Sequence, residues 1–225
     1  MLRIAVLASG NGSNLQAILD RIASGALDAE VGVVISNKPQ ARALERARSA
    51  GVPSLALDPA AYADRESYDA ALVEAIRAAG AQCVVLAGYM RLLTPVFLAA
   101  FPGAVINIHP SLLPSFPGLR GAGDALDYGV RLAGCTVHFV NEEMDGGAVI
   151  VQAAVPVTPG EPLDDLKARI HAMEHRIYPQ ALQWLAQGRL RVEGRCVHVA
   201  PPDSGVVPAA AGGAWLVSPP LEPGF

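Results

Sequence analysis

The chain has 225 residues, of which 52% are hydrophobic and 17% charged; that is enough apolar chain to bury one sizeable core, and it excludes a largely disordered protein. With 17 Lys+Arg against 21 Asp+Glu the net charge is −4, so there is no basic field to hold a phosphodiester backbone, and general nucleic-acid binding is excluded. The uncharged stretch over residues 92–108 is broken by Pro95, Pro102, Gly103 and Asn107 and falls short of a membrane span.

The chain opens on an apolar run, residues 4–8, too short for a signal-peptide core and passing at once into Gly and Asn. Val- and Ile-rich runs then alternate with Ala-, Leu- and Arg-rich stretches, the pattern of βαβ units feeding a parallel sheet. Strands are expected over residues 2–8, 30–36, 54–57, 82–87 and 104–109. Helices are expected over 14–24, 40–50, 65–79 and 95–100, with Gly25, Gly51 and Gly80 ending the first three. This half reads as doubly wound α/β, mostly parallel and Rossmann-like.

From residue 133 the pattern changes. Two long strands, 133–141 and 148–157, flank a Gly- and acid-containing loop and predict an antiparallel extension. Over residues 162–187, Leu163, Leu166, Ile170, Met173, Ile177 and Leu185 recur at three- and four-residue spacing, the apolar face of a long C-terminal helix. A hairpin around Gly194 comes next, over 189–199. The Pro-, Gly- and Ala-rich residues 201–225 read as a poorly ordered or irregularly packed tail. Cys83, Cys135 and Cys196 are odd in number, widely spaced and without a CxxC pair, which favours a reduced, cytoplasmic setting.

The loop Ser9-Gly10-Asn11-Gly12-Ser13-Asn14 joins the first strand to the first helix, where free backbone N–H groups and the helix dipole suit an anion such as phosphate. It is neither a dinucleotide fingerprint, since Leu15 stands where glycine is needed, nor a P-loop, since it lacks the lysine. A plain tight turn capped by Ser13 or Asn14 is the other reading. In the strand over 104–109, alternation sends Val105, Asn107 and His109 to one face, so an amide and an imidazole emerge together at the carboxyl end. That pair suits a reaction passing through an oxyanion. Pro110, Pro114 and Pro117 stiffen the loop beyond His109.

The loop Glu142-Glu143-Met144-Asp145-Gly146-Gly147 is ordinarily a solvated turn, yet its glycines can let the backbone fold in and bring Asp145 beside His109. A competing signal is His171-Ala172-Met173-Glu174-His175, which fits the H-x-x-E-H zinc-peptidase pattern. The helical phase turns both histidines away from the core with Glu174 on the flank, and no third ligand is identifiable, so no metal is expected.

Taken together, Ser9 to Asn14, Gly88-Tyr89-Met90-Arg91-Leu92-Leu93, Asn107-Ile108-His109-Pro110-Ser111-Leu112-Leu113-Pro114 and Met144-Asp145-Gly146-Gly147 resemble the 10-formyltetrahydrofolate-dependent formyltransferases. The opening loop narrows this to the branch whose second substrate is a small phosphorylated amine, 5-phosphoribosylglycinamide. The resemblance covers residues 2–193. It implies transfer of a formyl group from 10-formyltetrahydrofolate, as cosubstrate, to that amine in purine synthesis. It also implies small-molecule partners only, with no nucleic acid, no membrane and no metal, and a monomer or homodimer.

By the same resemblance Asn107 positions the substrate and donates to the oxyanion, His109 donates to the oxyanion and acts as general acid, and Asp145 is its carboxylate partner and proton relay. Gly12, Ser13 and Asn14 hold the phosphate, and Glu174, within E-H-x-I-Y-P, takes the glycinamide or ribose side. The pterin lies by Met90, Arg91, Leu92 and Leu93, with Asn107, Arg65 near the folate tail and the backbone from Val140 to Asp145 on the ring edge. The chain then divides into one domain, residues 1–200, with a phosphate-binding half of about 1–100 and a folate-binding, catalytic half of about 101–200, and a tail, 201–225. One departure stands out: after Pro117-Gly118-Leu119 the family commonly has His-x-His, whereas this chain has Arg120-Gly121-Ala122-Gly123-Asp124, which predicts a more mobile segment. His138 matches the family and has either a packing or a catalytic role. The alternatives are a hydrolase of the same formyl donor, a zinc peptidase, and a non-catalytic phosphometabolite-binding domain.

Overall fold

The computed structural model describes residues 1–202 and 216–225. Its strands are β1 (Leu2–Leu7), β2 (Ala29–Ser36), β3 (Ser54–Ala56), β4 (Cys83–Leu86), β5 (Val105–His109), β6 (Leu132–Phe139), β7 (Val149–Pro156), β8 (Leu190–Glu193), β9 (Cys196–Val199) and β10 (Leu216–Ser218). Its α-helices are α1 (Ser13–Ala23), α2 (Arg42–Ser49), α3 (Arg65–Ala78), α4 (Pro95–Ala100), α5 (Gly121–Tyr128) and α6 (Leu163–Ala186). The sheet runs β3-β2-β1-β4-β5-β6-β7-β9-β8, with β10 paired to β7. From β3 to β5 it is parallel; β6 and β7 return antiparallel.

Strand alternation divides the core into two layers. Ile4, Val6 and Ala8 face α1, α2, α5 and α6, packing with Leu15, Ile18, Leu44, Ala125, Ile170 and Ile177. Ala5 and Leu7 face α3 and α4, packing with Tyr68, Leu72, Ile76 and Phe97. Helix starts are locally encoded: Asp64 and Ser67 form a reciprocal capping box on α3, and Pro95 opens α4 behind Thr94. Gly25, Gly51 and Gly80 come after their helices with positive φ, as the sequence implies. Tyr178 of α6 is buried, and its hydroxyl lies 3.0 Å from the Leu86 carbonyl and 2.9 Å from that of Ile106, pinning α6 beneath β4 and β5.

One expectation is corrected, and the reading of the tail is narrowed for its last ten residues. The glycine-bearing segment after Leu119 is the helix α5, with Gly121, Ala122, Gly123 and Ala125 buried. A Cβ on Gly121 would stand 3.0 Å from His109 Nε2, so the missing side chain permits close docking rather than motion. Part of the expected tail, residues 203–215, lies outside the described residues. Residues 216–225, however, are docked: β10 adds to β7, Leu221 is buried, and Glu222 pairs with Arg189 at 2.6 Å.

Candidate active site

Strands β1 and β4 are neighbours, but the chain after β1 returns as α1 on one face while the chain after β4 leads to α4 on the other. Their loops part at the carboxyl edge and leave a crevice, the usual ligand position in a doubly wound sheet. Asn107 and His109 sit beside it on β5, on the same face as Val105. That face is covered by α3 and α4 only as far as β5, and beyond them a cavity of about 460 Å³ opens. Arg65, Met90, Arg91, Leu92, Leu93, Asn107, His109, His138, Val140 and Asp145 all line it.

Asp145 reaches this place by an unobvious route. Because β6 runs antiparallel to β5, the loop after Phe139 leaves beside Val105, at the far end of β5 from His109. It must fold back over the sheet face. Asp145 takes φ 51°, a left-handed conformation that Asp tolerates better than most residues. Gly147 packs so closely on the Phe139 carbonyl that a Cβ would overlap its oxygen. The glycines thus allow the inward fold that the loop composition suggested.

The carboxylate then meets three groups. The Gly118 N–H donates to Asp145 Oδ2 at 2.8 Å. His109 Nδ1 is 3.4 Å from Oδ2, and His138 Nε2 is 3.8 Å from Oδ1. His109 Nε2 donates to the Phe116 carbonyl at 2.9 Å, so Nδ1 is the ring nitrogen left to exchange a proton on the Asp145 side. His138 Nδ1 donates to the Phe139 carbonyl at 2.8 Å, and its bare Nε2 accepts from Asn107 Nδ2 at 3.2 Å. Burial is the main cause holding His138 below its ordinary value; the Phe139 bond and the nearby Asp145 oppose it, and His109 adds to the depression. A neutral His138 therefore aims the Asn107 amide and leaves its second N–H to the cavity.

On the opposite face, Gly12 caps α1 in the left-handed conformation with φ 74°. The first paired amide of α1 is that of Gln16, which donates to the Gly12 carbonyl, so the preceding N–H groups of the first turn are available to an anion. Asn14 Nδ2 donates to Glu174 Oε2 at 2.8 Å. Asn14 Oδ1 is buried without a partner among the described residues, an acceptor suited to a ligand's N–H or hydroxyl. Burial raises the Glu174 carboxyl above its usual range, while the Asn14 bond and the nearby His171 and His109 oppose the shift. Glu174 thus turns inward, whereas the exposed His171 and the half-buried His175 stack on each other away from it, at 6.3 Å between ring centroids. This split dismantles the H-x-x-E-H pattern, and among the described residues no group of three or more His, Cys, Asp or Glu is disposed to hold a metal ion.

The contacts that hold the loops around the site to one another are long-range, even where the sequence singles out the residues that make them. Ser9 joins the two loops: its N–H donates to the Gly88 carbonyl, its hydroxyl donates to Asn37 Oδ1 at 2.6 Å, and the Met90 N–H donates to that hydroxyl at 2.9 Å. Arg65 Nη2 donates to the Leu92 carbonyl at 2.9 Å. The Arg91 guanidinium lies 4.9 Å above the Tyr68 ring, whose hydroxyl meets that of Tyr89 at 2.9 Å. The buried Cys83 thiol is pushed up to about 12 by desolvation, out of the range of a reactive nucleophile.

Residues 2–182 match the family model described as formyl transferase. Phosphoribosylglycinamide formyltransferase of Escherichia coli K12 is 48% identical over 191 residues, covering 85% of this chain and 90% of that protein. The Bacillus subtilis protein of the same name is 42% identical over 82% of this chain and 95% of its own length. Among solved structures, glycinamide ribonucleotide transformylase 1 from Symbiobacterium toebii superposes with a TM-score of 0.88 at 55% identity, covering 89% of this chain and 95% of that one. No helix among the described residues is long and apolar enough to cross a membrane.

Proposed function

The chain belongs to the formyl transferase family, and from that premise we propose that it transfers the formyl group of 10-formyltetrahydrofolate to the amine of 5-phosphoribosylglycinamide, a step of purine biosynthesis. The products are formylglycinamide ribonucleotide and tetrahydrofolate. What supports the reading above all is the meeting of Asn107, His109 and Asp145 between an anion-binding loop on one sheet face and a largely apolar cavity on the other.

The donor supplies a formyl carbon on a nitrogen that can leave once it is protonated. The cavity fits it: Leu92, Leu93 and Val140 offer apolar walls to a flat ring, the backbone around residues 140–145 offers edge partners, and Arg65 and Arg91 supply cations for a carboxylate tail. Gly12, Ser13 and Asn14 hold the phosphate of the amine substrate, and Glu174 takes its ribose or glycinamide hydrogens. As the amine nitrogen bonds to the formyl carbon, the free N–H of Asn107 and the Nδ1–H of His109, acting as an imidazolium paired with the Asp145 carboxylate and so bearing a proton on each ring nitrogen, meet the negative charge growing on the formyl oxygen. Asp145 accepts the proton given up by the amine and, through His109 or water, returns it to the donor nitrogen as that C–N bond breaks. The proton count closes with no external acid.

We further read residues 1–200 as one domain, with residues 216–225 docked on its sheet and core, and the protein as a cytoplasmic monomer or homodimer; its three cysteines are unpaired, two of them buried. The deciding assay mixes the protein with 10-formyltetrahydrofolate and phosphoribosylglycinamide and tracks loss of the formyl donor. Amine-dependent loss is expected. Absence of any amine-dependent loss overturns the proposal.

A further inference from the structure

The anion-binding loop is braced from behind by α2. Ala43 N–H donates to the Gly10 carbonyl at 3.1 Å. One turn on, Arg46 spends three donors beside it: Nε on the Asn11 carbonyl, Nη2 on Asn11 Oδ1 and Nη1 on Gln16 Oε1, each at 2.9 Å. In a planar trans peptide the carbonyl and the following N–H point in opposite directions. Drawing the Gly10 and Asn11 carbonyls toward α2 therefore turns the Asn11 and Gly12 N–H groups away from it. They then extend the anion-facing row begun by the first turn of α1. The fit is close enough that a Cβ on Gly12 would stand 2.8 Å from both Ala43 Cα and Cβ.

We propose that Arg46 is a positioning residue for substrate selection: by fixing the Asn11–Gly12 peptide it sets the anion-binding form of the loop and so makes the enzyme demand a phosphorylated amine. This deepens, and rests on, the assignment of the loop to the substrate phosphate. Arg46 acts through the backbone, since one donor on each of its three guanidinium nitrogens is committed to Asn11 or Gln16. A lysine at the same position keeps the charge but not the fork.

The experiment compares phosphoribosylglycinamide with the same molecule lacking its phosphate, in wild type, Arg46→Ala and Arg46→Lys, with kcat and KM determined for each amine and for the formyl donor. In both variants KM for the phosphorylated amine is expected to rise about tenfold, the scale of one lost charge-assisted anchor. KM for the dephosphorylated amine, KM for the donor and kcat are expected to hold. Should Arg46→Ala melt below the assay temperature, Arg46→Lys carries the comparison alone. Unchanged preference for the phosphorylated amine in Arg46→Lys overturns the proposal, as does an equal rise in KM for both amines. Wild type that does not distinguish the two amines overturns instead the phosphate assignment beneath it.

Discussion

Asn14 and Glu174 stand 160 positions apart in the chain, and their side chains meet in a 2.8 Å hydrogen bond inside the fold. The bond ties the first turn of α1 to the middle of α6 and holds a carboxyl that burial keeps above its ordinary range. Such a group favours the fold fully below its unfolded value, and that contribution is lost as pH rises through the folded one. Glu174→Gln keeps an acceptor for Asn14 and cannot ionise. Its melting temperature is expected to gain on wild type as pH is raised from about 5 to 8, read by calorimetry. KM for the phosphorylated amine is expected to rise at least about tenfold as a charged partner is lost.

Asn107→Ala and His109→Ala are each expected to lower kcat by about 10²- to 10³-fold, the usual cost of one oxyanion donor. Both should remain folded, with near-native circular dichroism. Asp145→Asn keeps an oxygen for the Gly118 N–H but cannot take a proton from the amine, and a comparable fall in kcat is expected. Wild-type turnover in any of the three removes that residue from the mechanism.

His138 supplies a pH test of how Asn107 is aimed. Its folded value lies below 6.5 because of burial, so the stability it contributes is present above about pH 6.5 and is lost as pH falls through the folded value. Protonation there also puts an N–H against the Asn107 amide. His138→Gln offers a non-titrating acceptor. The variant is expected to lose less stability than wild type on acidification, and its kcat should fall less steeply at low pH. His175 has the same sign of shift but is unchanged in the variant, so the difference isolates His138. Identical acid limbs in the two proteins would count against the arrangement.

Ser9→Ala removes the hydroxyl that accepts from Met90 N–H and donates to Asn37. A part-buried amide left without its acceptor costs at most about 1–3 kcal/mol. The larger expected sign is functional: KM for the formyl donor rises several-fold although Ser9 lies in the loop assigned to the other substrate. Titrating each substrate in turn checks whether the effect crosses between the loops.

The parts of the site that sequence alone makes legible come from short-range periodicity. Asn107 and His109 share a face because they are two residues apart on a strand, and the glycines beside Asp145 announce that its backbone can turn inward. Helix α5 is hidden because two glycines lower local helix propensity, and what stabilises it is burial of Ala122 and Ala125 in the core shared with α6, a long-range fact. Strand β10 is hidden for the same reason: three residues in a proline-rich run acquire meaning only against β7. Arg46 reads as one more charge on a short surface helix. Its partners Gln16 and Asn11 are 30 and 35 positions away, and no periodicity points to them.

The Tyr178 phenol holds carbonyls of both β4 and β5 from a point four residues beyond Glu174 on the same helix. Sliding or rolling α6 would break that anchor in a dry interior, where the orphaned carbonyls find no water. The span from Glu174 to the Asn107–His109 pair is therefore a fixed gauge built into the scaffold. Accommodation of ligands is left to the surrounding loops, and candidate molecules are measured against a length that does not yield.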